Sequence, residues 1–262
     1  MAKKKKSKLF PLVLSTFLAL GCIFLYKYRA EIQYVYYNFY PPKKYTGFGT
    51  SVPTEYNTIG IDVSRYQKHI NWTALSEMEH NGRRLSFAFI KATEGTSLKD
   101  PLFDFNAHSG KKSRLFVGAY HFFRCNISPI EQMEFFYSNI KEHNFTLPPV
   151  IDIETTDGLS SVRVRTNLKL ALKVLEEKTG KKPIIYTNPS FYLEHLDGYF
   201  NEYPFWLAHY YVNKPLIPSN MNAKFWQITD KATVDGIKEP VDLNVYLGTY
   251  EEFKQFIRSS NQ

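Results

Sequence analysis

Cysteine is scarce in this chain of 262 residues: Cys22 sits inside an apolar run and Cys125 lies far from it. Two such residues provide neither a disulfide framework nor a cysteine zinc site. Among the seven histidines no H-x-H or H-E-x-x-H spacing occurs, so no metal is expected. The nearest rival to that reading is a site in which His121 joins neighbouring acids. G-x-S-x-G and glycine-rich phosphate loops are also missing, which removes the signals for a serine nucleophile or a nucleotide, and no cofactor is expected. No internal repeat is visible, and the only low-complexity tract is a run of lysines near the start.

Positive charge is scarce too once its position is considered. The formal charge is +8, but nine Lys and Arg against Glu31 and Glu55 put +7 of it in residues 1–55. Residues 56–262 therefore carry only +1, too little to draw a polyanion, and no nucleic-acid partner is expected. With 44% hydrophobic and 22% charged residues the chain can bury a core.

The displaced charge reads as topology information. Residues 1–8 form a basic tail, and Leu9 to Tyr26 run without a charge. As a helix those residues span ~27 Å, close to the ~30 Å hydrocarbon core of a bilayer. Five lysines before the run and only Lys27 and Arg29 just after it predict a cytoplasmic N-terminus and an exported body. The segment 9–26 is expected to be a membrane anchor; the alternative is a signal peptide cleaved near Gly21. The aromatics of YVYYNFY (34–40) suit a membrane interface, a strand or a sticky linker, and residues 27–55, punctuated by Pro and Gly, read as a tether.

From residue 56 to 262, β-branched and aromatic runs alternate with helical patterns. Eight strands are expected, in TIGIDVS, SFAFIKA, FVGAYHFF, PPVIDIE, PIIYTN, FWLAHY, KFWQIT and VDLNVYL. Helices are predicted over about 71–81, closed by Gly82, from a capping box at Ser128 to His143, from Ser160 to a Gly180 cap, and from a capping box at Thr249. The fold class is α/β: a closed, TIM-like barrel preceded by one transmembrane helix. The later strands lie too close together for helices between them, so full alternation is expected only in the first half.

Acids stand at three of these strands: Asp62, the pair Asp152 and Glu154, and Asp242. Side chains two apart share a strand face, so Asp152 and Glu154 point into the barrel while Ile151 and Ile153 pack outward. Crowded carboxyls raise each other's proton affinity, which lets one remain a general acid beside an ionised neighbour. Tyr120, Tyr186, Trp206, Tyr210 and Trp226 fall near strand ends, where rings stack on sugar faces; taken singly, each is more often core.

The ordered blocks GIDVSRYQ-x-x-INW (60–72), FAFIKATEGTSLKDPLFDFN (87–106), GAYHFF (118–123), PPVIDIE (148–154), IIYTN (184–188), WLAHY (206–210), FWQIT (225–229) and VDLNVY (241–246) resemble the glycoside hydrolase family 25 lysozymes. The resemblance implies a flattened, irregular β/α barrel that cleaves the β-1,4 bond between N-acetylmuramic acid and N-acetylglucosamine in peptidoglycan. It further implies Glu154 as general acid, Asp152 and Asp62 as assisting acids, and Asp242 and Lys91 among the substrate contacts. Retaining hydrolysis assisted by the substrate's acetamido group is expected. The alternative is a peptidoglycan-binding module of the same fold. A monomer is assumed.

Overall fold

The computed structural model describes residues 9–260, except for the side chains of 9–16, 30 and 45. The basic tail, residues 1–8, lies outside the described residues. Helices α1 (Leu9–Lys27) and α2 (Arg29–Phe39) precede a hairpin of β1 (Lys44–Gly47) and β2 (Thr50–Pro53). Then come β3 (Ile59–Val63), α3 (Trp72–Glu77), β4 (Glu79–His80), β5 (Arg83–Glu94), β6 (Leu98–Lys99), α4 (Phe103–Lys112), β7 (Phe116–Phe122) and α5 (Pro129–Ile140). The chain continues through β8 (Val150–Asp152), α6 (Ser161–Thr179), β9 (Ile184–Thr187), a short α7 (Pro189–Phe191), β10 (Phe205–Ala208), β11 (Ala223–Ala232), β12 (Val241–Tyr246) and α8 (Tyr250–Ser259).

The strands β3, β5, β7, β8, β9, β10, β11 and β12 pair in that order, and β12 closes the ring onto β3. Pairs from β3 to β11 are parallel, while β12 is antiparallel to both neighbours. Every strand expected from the sequence is present in the ring, and helices separate the strands regularly only as far as β9. The caps follow their side-chain chemistry. Thr249 and Glu252 form a reciprocal capping box, and Gly180 ends α6 at φ 68°, a left-handed conformation that costs glycine little.

Apolar side chains divide into two shells. Phe87, Phe89, Val150, Trp206 and Phe225 fill the barrel interior. Ile151 and Ile153 belong to the outer shell, with Val164, Leu168 and Leu172 of α6. Glycine is required where inner rings press on the strands: a Cβ on Gly60 would lie 2.4 Å from the Phe87 ring. Burying each such ring stabilises the fold by about 2 kcal/mol.

Two expectations are corrected. The helix expected over 71–81 ends at Glu77, because Asn81 and Gly82, at φ 52° and 74°, turn the chain into the β4–β5 hairpin. Asn-Gly favours that positive-φ turn over helix continuation. The segment expected to be a tether is folded against the body. Phe48 and Val52 are buried in the outer shell, and the Phe48 carbonyl accepts from the Thr233 amide at 2.8 Å. YVYYNFY is helical within α2 as far as Phe39, with Tyr34 stacked on His209 at 5.7 Å and the Tyr37 carbonyl accepting from Asn213 Nδ2 at 3.2 Å. Among the described residues no helix is long and apolar enough to cross a membrane.

Candidate active site

At the C-terminal ends of the parallel strands lies a cleft of about 210 Å³, lined by Asp62, Lys91, Tyr120, Asp152, Glu154 and Asp242 among others. Asp62 comes from β3 and Asp152 from the end of β8, with Glu154 two residues further along. Asp242 reaches the same mouth for a different reason from the strand-end rule: it begins β12, whose reversed direction pairs it in register with Asp62.

Asp62 is buried and clamped. Its Oδ2 accepts from Gln227 Nε2 at 2.7 Å and from Asn244 Nδ2 at 2.8 Å. Both amides are themselves oriented. Tyr186 and Tyr210 hydroxyls donate to Gln227 Oε1, each at 2.7 Å, and Trp206 Nε1 donates to Asn244 Oδ1 at 2.8 Å. Burial pushes the Asp62 carboxyl up to about 6; the two amides resist that rise and the nearby Glu154 charge adds to it. At neutral pH Asp62 is therefore mostly ionised.

Burial also raises Asp152 well above the usual carboxylate range, with the Glu154 charge and hydrogen bond as further causes and Lys91 opposing. Glu154 is raised by burial too, against its bond to Asp152 and the charge of Lys91. Both carboxyls are thus held toward the protonated form, and the charge on either one affects the other. Asp152 Oδ1 is buried without a hydrogen-bond partner. Asp242 is pushed up to about 9 by burial and by Asp62.

Lys91 is held by Glu94 at 3.0 Å, and Glu94 also pairs with Arg124. This fixes a positive charge beside the acid pair. Tyr120 lines the cleft, where burial and the surrounding acids raise its hydroxyl far above the ordinary tyrosine value. Tyr186 and Tyr210 act on Gln227. Trp206 lines the floor of the cleft, almost wholly buried, with one face stacked on Phe89 at 4.7 Å and its Nε1 holding Asn244.

Trp226 is the residue the sequence misplaced. It belongs to the outer shell, donates to the His209 carbonyl at 2.8 Å and meets Tyr56 edge-on at 6.0 Å, away from the cleft. Its neighbours Phe225 and Gln227 take the inward positions of β11, so strand alternation turns Trp226 out. His121 also faces away from the acids: its ring nitrogens meet Thr93 Oγ1 at 2.7 Å and Gln132 Oε1 at 3.3 Å. Burial lowers its pKa to about 4. Among the described residues no group of three His, Cys, Asp or Glu is placed to hold a metal ion.

Of the residues at or beneath the cleft that escaped the sequence reading, Gln227, Asn244 and Tyr66 bear most on the site. Gln227 and Asn244 are polar positions on apolar strands, and Asn244 shares a strand face with Asp242; that parity was the available signal. Tyr66 lines the rim at 68% exposure, with the Arg65 guanidinium 5.4 Å from its ring centre, and the sequence offered no cue for it.

The profile described as Glycosyl hydrolases family 25 matches residues 61–237. YegX of Escherichia coli K12, an uncharacterised protein, is 43% identical over 235 residues, covering 89% of this chain and 85% of that protein. Lysozyme M1 of Streptomyces globisporus is 35% identical over 204 residues, covering 72% of this chain and 68% of that protein. The solved structure of a family 25 glycosyl hydrolase from Bacillus anthracis superimposes with a TM-score of 0.71 at 31% identity, covering 78% of this chain and 94% of that one. The matched residues include Asp62, Asp152 and Glu154, and with them the chain belongs to glycosyl hydrolase family 25.

Proposed function

We propose that the cleft hydrolyses the β-1,4 bond between N-acetylmuramic acid and N-acetylglucosamine in peptidoglycan, with retention of configuration. The observation that carries this reading is the convergence of Asp152 and Glu154 in one cleft beside Asp62, which two amides clamp. The names of relatives such as Lysozyme M1 support it.

In this scheme the substrate's acetamido N–H donates to Asp152, whose Oδ1 lacks a partner, which favours ionised Asp152 and places a proton on Glu154. Glu154 gives that proton to the glycosidic oxygen as the C1–O bond breaks, and the acetamido carbonyl oxygen bonds to C1 from the opposite face. Glu154, now a carboxylate, takes a proton from water whose oxygen attacks C1 and reopens the ring; two inversions give retention. Asp62, fixed by its two amides, faces the positive charge that develops at C1. Lys91 and Asp242 complete the polar wall, and Tyr66 offers the exposed ring for a sugar face.

Full-length protein incubated with peptidoglycan, followed by borohydride reduction, is expected to yield reduced N-acetylmuramic acid at the new ends. Glu154→Gln should lower turnover about 10²–10⁴-fold. Binding without new ends would instead support a glycan-binding module, and near-normal turnover by the Gln variant would sink the assignment of the acid.

Because peptidoglycan lies outside the cytoplasmic membrane, the body belongs on the exported side, in line with the lysines before the apolar run. Residues 9–26 then hold the chain at the membrane. Fractionation should recover full-length chain with membranes, sensitive to protease added outside; a soluble product starting near Cys22 would mark a cleaved signal instead.

A further inference from the structure

Helix α2 has two faces that differ in what they meet. At ~100° per residue, Tyr34 and Tyr37 point one way, and both are spent on the body. Tyr34 stacks on His209, while Tyr37 accepts from Asn213 and Lys214, both bonds at 3.2 Å. The opposite side carries Tyr28, Ile32, Val35, Tyr36, Phe39 and Tyr40 at the i, i+4, i+7 and i+11 spacing of a single stripe. These side chains are exposed, Phe39 at 76% and Tyr40 at 66%. Single exposed apolar groups are ordinary; a contiguous aromatic stripe along three turns is not.

We propose that this stripe is a membrane-interface face, and that α2 seats the barrel directly on the bilayer surface. Three observations select lipid as the occupant. The stripe is continuous with α1, whose described apolar residues Phe17 to Tyr26 are likewise exposed, across a break of one residue at Tyr28. Its aromatic composition matches side chains that settle among headgroups. Lys27 at one end and Lys43 and Lys44 just past the other place positive charge where anionic lipids lie, while Arg29 donates to the Ser219 carbonyl of the body at 3.2 Å.

The consequence is a fixed orientation in place of a loose leash. His209 follows β10 at the end of the barrel that carries the cleft, so the helix that meets lipid also borders the catalytic mouth. With 29–39 and 44–53 both packed on the body, no long flexible linker remains, and the enzyme works on glycan lying against the membrane.

The inference rests on the proposed export of the body, and its test separates the two. Full-length Cys22→Ser protein carrying Phe39→Cys, and a control carrying Lys112→Cys on α4, are labelled with an environment-sensitive dye in phosphatidylethanolamine–phosphatidylglycerol vesicles. Cys125 stays unlabelled, being buried with its thiol pushed up to about 12. The label at 39 is expected to be quenched at least about threefold more by nitroxide lipids than the label at 112, and to resist aqueous iodide. Equal iodide quenching at the two sites overturns the proposal, even if α1 holds the chain on the vesicle. Failure of export in cells, with lipid quenching at 39 intact, counts against the location and leaves the interfacial face standing.

Discussion

The two halves of the barrel are covered by different means. After β3, β5, β7 and β8 the chain makes α3, α4, α5 and α6, and these helices shield the outward faces of their strands. Beyond β9 only α7, prolonged by a π-helical turn over Tyr192–Leu196, and the terminal α8 remain, so the outer residues of β11 and β12 need another cover. They find it upstream: β2 packs on β11, Phe48 and Val52 enter the same outer shell as Val241, Leu243 and Val245, and Tyr56 meets Trp226. The chemistry divides along the same line. Helix-backed β8 leads into the acid pair that handles protons, whereas β9, β10, β11 and β12 supply Tyr186, Trp206, Gln227 and Asn244, which position Asp62. A barrel short of crossover helices thus takes both its cover and part of its rigidity from elsewhere in the chain.

The sharpest way to break this comparison is Phe48→Ala. If the hairpin is part of the fold, the loss should be about 3–5 kcal/mol, the same as Phe136→Ala on α5, since both rings are essentially buried. Urea unfolding of both variants decides; a loss under ~1 kcal/mol for Phe48 alone would return the hairpin to the status of a tether.

On the chemical side, Asp152→Asn should reduce kcat about 10²-fold on peptidoglycan with little change in unfolding midpoint. Asn244→Leu, in the positioning half, should cost about tenfold and move the pH profile. The sign follows from the clamp: Asp62 is pushed up to about 6, and the amide donors hold it from rising further. Activity that needs ionised Asp62 is lost as pH falls through about 6, and removing one donor shifts that acidic limb to higher pH. A limb that stays in place would show that Asp62 does not set it.

The smallest effect belongs to Asp242, at the seam between the halves. Its folded pKa is pushed up to about 9 from an ordinary 3.8, so the native state binds its proton more tightly than the unfolded chain. Its contribution to stability therefore declines as pH rises between about 4 and 9. The full shift would be worth about 5 kcal/mol between pH 4 and 8, but Asp242 is partly exposed and solvent screens it, so Asp242→Asn should gain only about 1 kcal/mol over the parent at pH 8 relative to pH 4, read from urea unfolding at both values. An unchanged difference would place Asp242 in a more open setting.

Local sequence carried the strands, the caps at Thr249 and Gly180, and the shared inward face of Asp152 and Glu154, because each depends on neighbours only a few residues away. It also separated the half with room for helices from the half without. Alternation says that successive side chains face opposite sides, but it does not say which side is inside. Trp206 and Trp226 look alike in sequence, yet pairing with their neighbours turns the first inward and the second outward. The direction of β12 is likewise a property of the closed ring, and it alone brings Asp242 opposite Asp62. The amide clamp joins residues 165 and 182 positions from Asp62, and Phe48 becomes core only because a bare stretch of barrel far along the chain leaves an apolar face to fill. Periodicity and capping are local energies written into the chain; facing, strand direction and cover are settled by which surfaces meet when the barrel closes.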